Sequence, residues 1–513
     1  MGRREKPSAS NSILRIVFVG LSVLFQAGWL LLLIFKLNNY SIYINIATTV
    51  LALVVVLRLY SRHSSSAMKM PWIMLILAFP VMGLSLYLMI EIFGDLGKAG
   101  KRLRSVQKTT RAALPENQPL LDKLRSEDIS AANISRYLLR YAGAPIYENT
   151  GTRYFSEAAD AFEAMKQDLR KAQKYIFMEY FIVEDSEAFG QIRDILAERA
   201  AAGVDVRLMY DDIGSIGYAS FTFAKGLEKQ GIRCRVFNPA LPVLNLFMNH
   251  RDHRKITVID GIVGYTGGYN LANAYFDITH PYGKWKDTGI RLEGEAVRSL
   301  TASFLELWHI GSFQEQLPLV PAEQSLLPPA SDGFVQPYSD SPLAKERVAE
   351  NVYLNLIAAS RRSLWFITPY LIISDEMVSA LGLAAKRGVD VRVITPGIPD
   401  KKTVYQITRS YYGSLASQGV RIFEYIPGFC HAKQCLCDGV MASIGTSNLD
   451  YRSLYHHFEN NVFLYGGRAV AQMKEDFENI FPQCAEVTER YRAGRGRALR
   501  IWQCILRLIA PLM

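Results

Sequence analysis

"NHRDHRKITVID", residues 249–260, sets His253 and Lys255 two apart and then runs Ile256, Thr257, Val258 and Ile259, which reads as a β-strand. On a strand, positions i and i+2 leave the same face, so an imidazole and an ammonium are aimed at one spot. Asp260 lies an odd number of residues from both and on an unbroken strand faces away, which favours a structural role for it over proton transfer. The pattern returns in "HAKQCLCD", residues 431–438, with His431, Lys433 and Asp438 at the same offsets. Asn270 in "GGYN" and Asn448 in "GTSN" each stand 17 residues after their histidine. A lone H-x-K is expected by chance in about one of two chains of this composition. Two copies with matched Asp and Asn offsets are not accidental.

The text around them repeats too. "AAGVDVRLM" (201–209) answers to "KRGVDVRVI" (386–394), and "QGIRCRVF" (230–237) to "QGVRIFEY" (418–425). "KYIFMEYFI" (174–182) likewise answers to "SLWFITPYLI" (363–372). Repeats this long exceed a solenoid period and point to a duplicated α/β unit. The expected organisation is a membrane region over 1–94, a linker over 95–135 that includes "LPENQP", and a first domain over 136–316. A linker over 317–342 rich in proline, a second domain over 343–490 and an amphipathic segment over 491–513 complete it.

Ile16 to Phe35 is a run of 20 residues with only Gln26 strongly polar. That is long enough to cross a hydrocarbon core of about 30 Å. Two further apolar runs, 42–57 and 72–90, are shorter or broken by Pro80 and Gly83. Arg3, Arg4 and Lys6, then Arg58, Arg62 and Lys69, favour the cytoplasmic side. Three full crossings would put Lys98, Lys101, Arg102 and Arg104 outside, against the same rule, so the side of the membrane stays open. In the C-terminal segment, Ile501, Ile505, Leu508 and Ile509 share one helical stripe away from Arg500 and Arg507, with Trp502 free to meet an interface. Such a stripe suits a lipid surface or the protein's own core equally. The net charge of +10 favours anionic partners, either nucleic acid or anionic lipid, and the apolar segments select lipid. Cys430, Cys435 and Cys437 lack the paired spacing of a structural zinc site and read as buried free thiols.

Two histidines of near-neutral pKa can divide nucleophilic and acid/base work on one phosphodiester, while two lysines and two asparagines supply charge and donors to its non-bridging oxygens. That forms a phosphoryl-transfer site with no metal and no cofactor. From the residues alone, the two histidine roles are exchangeable.

The paired HxKxxxxD motifs resemble the phospholipase D superfamily. The surrounding text resembles its bacterial cardiolipin synthases in "PWIMLILAFPVMGLSLYL" (71–88), "YDDIGS" (210–215), "TPYLI" (368–372), "RSYYGSL" (409–415), "GTSNLDYRS" (445–453) and "FENN" (458–461). The resemblance implies pseudo-symmetric duplicated domains, each a mixed sheet flanked by helices, behind N-terminal transmembrane helices in the cell membrane. It implies transfer of a phosphatidyl group from one phosphatidylglycerol to another, giving cardiolipin and glycerol. His253 would carry a phosphohistidine, and His431 would protonate the leaving alkoxide and then deprotonate the incoming alcohol. By the same resemblance Asp287 in "KWKDTG" and Glu459 orient the imidazoles, and Thr446 joins Asn270 and Asn448 at the phosphate. Gly268 stands where a hydroxyl residue is common, and His457 where Asn is common. The expected partners are phosphatidylglycerol and cardiolipin, with no nucleic acid and no metal. A phospholipase D, in which water takes the phosphatidyl group, would share every catalytic residue. A nuclease of the superfamily is disfavoured by the apolar segments, and a catalytically silent lipid-binding protein by the intact motifs.

Overall fold

The computed structural model describes residues 42–62, 65–93, 96–220, 222–239, 249–310, 332–493, 506–508 and 510–512, with single positions at 21, 24, 25, 28, 31, 32 and 502. Within it the alternating apolar runs of each half assemble into a mixed sheet. The first sheet runs, edge to edge, Thr150–Phe155, Gly289–Gly294, Val263–Gly267, Lys255–Ile259, Tyr175–Tyr180, Asp205–Asp211 and Arg233–Phe237. The second runs Phe334–Asp340, His457–Tyr465, Met441–Gly445, Gln434–Cys437, Ser363–Ile367, Asp390–Pro396 and Arg421–Tyr425, and adds Cys484–Glu486 at its edge. The same seven-strand order twice over is the duplication the repeats predict.

Strand period places side chains on alternate faces. Ile176, Met178 and Tyr180 pack on the helices Ala158–Arg170 and Glu187–Ala201, while Phe177 and Val258 point the other way, towards the helix Val297–Ile310. Strands buried on both faces read as near-continuous apolar text, as these do. Ile256, Ile290 and Leu292 of the first sheet share one core with Ile444, Val462 and Leu464 of the second, so the halves are packed against each other.

Two short strand pairs cross between halves. Arg251–Asp252 runs parallel to the start of His457–Tyr465, with Arg251 opposite His457. Lys284–Lys286 runs parallel to Gly428–Cys430, with Trp285 opposite Phe429. In each pair one strand leads into a motif histidine and the other into a carboxylate.

Asp260 and Asp438 sit in the hairpin turns that close the two motif strands, at φ 53° and 54°, each followed by a glycine at positive φ. Asp-Gly suits that left-handed geometry. Each carboxylate accepts three successive backbone N–H groups, Gln173, Lys174 and Tyr175 at 2.7–2.9 Å for Asp260, and Arg361, Arg362 and Ser363 at 2.7–2.9 Å for Asp438. Each thereby ties its turn to the start of the neighbouring strand. Asp438→Ala is expected to lower stability by about 2–4 kcal/mol while leaving the turnover number of the folded fraction nearly unchanged. Thermal unfolding and activity titrated against folded protein check this, and a lost turnover number at native stability would contradict it.

The stretch expected as a linker over 95–135 is helical. Leu96–Ala112 lies along Val297–Ile310, with Arg111 Nε 2.9 Å from Glu306 Oε1. Leu121, Leu124, Ala131 and Ile134, from the helices Gln118–Glu127 and Ile129–Tyr137, enter the core of the second half beside Val348 and Val352. Residues 317–331 of the proline-rich linker lie outside the described residues, and the end of the stretch expected as linker is instead the edge strand Phe334–Asp340, which pairs with His457–Tyr465.

Among the described residues no helix is long and apolar enough to cross a membrane. Most of the 16–35 stretch lies outside them. The second apolar run falls in the helix Ile42–Ser61. The third is two helices, Ser66–Ala78 and Pro80–Phe93, broken at Phe79 because proline cannot continue the hydrogen-bond ladder. At about 1.5 Å per residue each is about 20 Å long, short of a hydrocarbon core. They fold closely on each other, and a Cβ at Gly83 would stand 2.6 Å from Ile76 Cα. Large apolar side chains are exposed along this region, among them Ile46, Val50, Leu53, Val54, Leu57, Met74, Leu77 and Phe79. A patch of that extent marks an interaction surface.

The C-terminal segment packs on the protein itself where it is described. Leu506 and Ala510 are buried in the second core, and Arg507 lies 4.1 Å over the Tyr411 ring. Trp502, half exposed, donates Nε1–H to Gln406 Oε1 at 3.3 Å. Ile501, Ile505, Ile509 and Arg500 lie outside the described residues. The five described cysteines are free thiols and four are buried.

Candidate active site

The crossing strands set each histidine against a carboxylate of the other half. His253 Nδ1 lies 2.9 and 3.0 Å from the two oxygens of Glu459, and His431 Nδ1 lies 2.6 Å from Asp287 Oδ2. Each bond holds its imidazole in one tautomer and leaves Nε2 for a reactant. Neither half alone carries a complete dyad. Both histidines line a cavity of about 360 Å³, together with Asn270 and Asn448. Asn270 is fixed by the Ile182 amide and the Tyr275 hydroxyl, and Asn448 Nδ2 bonds Asp450 Oδ2 at 3.1 Å while its Oδ1 has no partner.

Lys255 and Lys433 lie behind the histidines, fully buried. Lys255 Nζ donates to the His253 carbonyl at 2.6 Å, and Lys433 Nζ lies 2.7 Å from His431 Nδ1 and also reaches the His431 carbonyl.

Thr446, expected at the phosphate, is placed elsewhere. Its hydroxyl donates to Glu459 Oε2 and accepts from the Asn460 amide at 2.9 Å. The matching position in the first half, Gly268, has no room for a side chain, because a Cβ there would overlap Asp287 Oδ1 and stand 3.0 Å from the His431 carbonyl. Thr446 and Gly268 therefore both serve the carboxylates, one by bonding and the other by making space.

Electrostatics separates the two dyads. Burial pushes Glu459 well above the ordinary carboxyl range, and Lys255 with the Thr446 hydrogen bond offsets only part of that. Burial also pushes Asp287 up, but the charges of His431 and Lys433 and the hydrogen bonds from His431 and the Thr288 amide outweigh it and hold the group below its ordinary value. His253 is lowered well below 6.5 by burial and by Lys255. His431 is lowered to about 4 by burial and Lys433, with Asp287 pulling it back up. Burial brings Lys255 down to about 7 and Lys433 to about 8.

A consequence for pH follows from the lysines. An anionic substrate needs their ammonium forms, so kcat/KM for a phosphodiester lipid is expected to fall as pH rises through about 7 to 8. A pH–rate profile checks this, and a basic limb near the 10.4 of an ordinary lysine would contradict it.

His253, His457 and Glu459 are close enough to hold a metal ion among the described residues. The Lys255 ammonium close to Glu459 and His253 opposes a dication there.

Several site residues carry no signal in the motifs. Arg251 forms a buried ion pair with Asp211 of "YDDIGS" at 2.9 Å, and Arg254 a second with Glu179. Trp285 and His457 line the cavity two residues before Asp287 and Glu459. For Trp285 the i−2 position on a strand entering Asp287 is the sequence feature that points to it, and His457 has the same position before Glu459.

The chain is similar to known proteins along most of its length. A family model described as cardiolipin synthase, PLD-like domain, matches residues 165–308 and 353–481, and one described as phospholipase D-nuclease N-terminal matches 47–90. A cardiolipin synthase of Halalkalibacterium halodurans is 33% identical over 95% of each chain. Cardiolipin synthase 2 of Bacillus cereus is 35% identical over 89% of each. An uncharacterized protein of Streptococcus mutans is 40% identical over 89% of this chain and 99% of its own. The crystal structure of phosphatidylserine synthase from Haemophilus influenzae superposes with a TM-score of 0.55 over 74% of this chain and 99% of that one, at 14% identity, a likeness of fold alone. With two matched domains, full-length relatives and a dyad of each half completed by the other, the chain belongs to the cardiolipin synthase family of phospholipase D-like proteins.

Proposed function

We propose that the chain is a phosphatidyltransferase that makes cardiolipin from two molecules of phosphatidylglycerol. The observation that carries this reading is the pair of crossed histidine–carboxylate dyads facing one cavity. His253 Nε2 attacks phosphorus, the bond to the glycerol oxygen breaks, and His431 gives that oxygen its proton. The hydroxyl of a second phosphatidylglycerol then attacks, its proton passes to His431, and the phosphorus–nitrogen bond breaks. Exchange of one phosphodiester for another is nearly neutral in bond type, which suits a chain with no nucleotide-binding motif.

Charge supports this division of labour. A nucleophile must be neutral, and His253, the more strongly depressed imidazole, stands beside a carboxyl shifted towards its neutral form. A general acid must hold a proton for the leaving oxygen; burial and Lys433 lower His431 to about 4, and the ionised Asp287 carboxylate beside it is what favours its imidazolium. Lys255 and Lys433 place positive charge behind the phosphate, and Asn270 and Asn448 supply donors at its edge, where negative charge builds in the transition state. Metal plays no part in this scheme, so activity is expected to survive a chelator.

The exposed apolar side chains of the helices near the N-terminus support attachment to the cell membrane. The test is product analysis by mass spectrometry, with purified protein in liposomes of phosphatidylglycerol alone. Cardiolipin with equimolar glycerol is expected. Phosphatidic acid without cardiolipin would overturn the transferase and leave a phospholipase.

A further inference from the structure

The catalytic centre is pseudo-symmetric, but its flanks are not. Trp285 and His457 occupy matching positions, each two residues before the orienting carboxylate of its half. Their cross-half partners, Phe429 and Arg251, match as well, each two residues before a motif histidine. One flank is therefore aromatic and the other polar.

Around His431 the ring centroids of Tyr275, Trp285 and Phe429 lie at 5.2, 5.5 and 5.8 Å, and Tyr282 and Tyr370 complete this wall of the cavity. Around His253 stand Phe181 at 5.0 Å and His457 at 5.4 Å, with Arg452 on the same wall. Trp285 is 7% exposed, and its Nε1–H has no hydrogen-bond partner. A buried donor left unpaired costs free energy unless a ligand takes it up.

In an in-line displacement, the leaving and the incoming oxygen occupy the same side of phosphorus, opposite the nucleophile. Resting on the reading that His253 attacks, that side is the aromatic one. We propose that Trp285, Phe429 and Tyr282 form the acceptor subsite, which takes the glycerol end of the second lipid and keeps water from His431. The carbon-bound hydrogens of glycerol lie against the ring faces, and the Trp285 Nε1–H donates to its second hydroxyl. The alcohol that attacks loses its proton to His431 as the phosphorus–nitrogen bond to His253 breaks. Were water to stand there instead, the same step would yield phosphatidic acid. The aromatic wall thus sets the partition between transfer and hydrolysis.

The experiment measures the ratio of cardiolipin to phosphatidic acid formed by the full chain in liposomes of phosphatidylglycerol. Trp285→Ala is expected to lower that ratio about tenfold, with phosphatidic acid appearing faster than in the native chain. Trp285→Phe, which keeps the packing and loses the donor, and Phe429→Leu lower it less, and they give a reading should Trp285→Ala fail to fold. His457→Asn lowers total turnover and leaves the ratio unchanged. An unchanged ratio in Trp285→Phe and Phe429→Leu would overturn the proposal, as would a ratio that moves with His457→Asn instead. Failure of the transferase reading itself would look different, because the native chain would then make no cardiolipin at all.

Discussion

Replacing His253 by Ala is expected to lower turnover of phosphatidylglycerol by about 10⁴-fold, since it removes the nucleophile and no other imidazole takes its place in line with phosphorus. His431→Ala is expected to cost nearly as much on that substrate, because the glycerol alkoxide is a poor leaving group without a proton. The two variants separate on a phosphatidyl ester of p-nitrophenol, whose leaving group needs no acid. His431→Ala should still release nitrophenolate in a single burst equal to the enzyme present, and His253→Ala should release none. A burst in the His253 variant would exchange the roles of the two histidines. Both proteins should insert and unfold like the native chain, because neither imidazole is a core contact of its sheet.

Gly268→Ser is expected to cost about 10²-fold in kcat, although residue 268 touches no substrate. The added Cβ would overlap Asp287 Oδ1, so the carboxylate must leave the position from which it bonds His431 Nδ1 at 2.6 Å. His431 then loses both its tautomer and its support as an imidazolium. Thr446→Ala, in the matching position of the other half, removes a bond to Glu459 without displacing it, and should cost about tenfold. Steady-state rates of the two variants, beside their unfolding temperatures, check the difference. A Gly268→Ser protein with native kcat would contradict the role assigned to Asp287.

What was legible in the sequence was whatever repeats. The offsets from His253 to Asn270 and from His431 to Asn448 exposed the duplication, while the strand order and the turns at Asp260 and Asp438 depend on pairing between distant strands and were not readable. The odd spacing of Asp260 and Asp438 favours a structural role over proton transfer, and the three amide bonds to each carboxylate support that reading. The crossing was not legible, because His253 and Glu459 are 206 residues apart and His431 and Asp287 are 144 apart, and no local pattern says that each half completes the other. Thr446 was misplaced for a related reason. A hydroxyl near a phosphate site reads as a phosphate ligand, and only the packing reveals that it bonds a carboxylate. The helices within 95–135 had a readable signal in the apolar pair Leu121 and Leu124, one helical turn apart, outweighed there by the neighbouring prolines.

The asymmetry of the flanks also explains why a doubled site need not do the same thing twice. The motif residues come in matched pairs, while the i−2 positions differ, Trp285 in one half and His457 in the other. A pseudo-twofold centre gains direction when its walls differ, since donor and acceptor must then arrive on opposite sides.

The central claim is a covalent phosphatidyl group on one named nitrogen. The native chain, mixed with phosphatidylglycerol and quenched within one turnover, would be digested and its peptides weighed by mass spectrometry. A phosphatidyl adduct on the peptide holding His253, absent from His253→Ala and discharged to cardiolipin when more phosphatidylglycerol is added, is the predicted result. An adduct on the peptide holding His431, or none while cardiolipin accumulates, would contradict it.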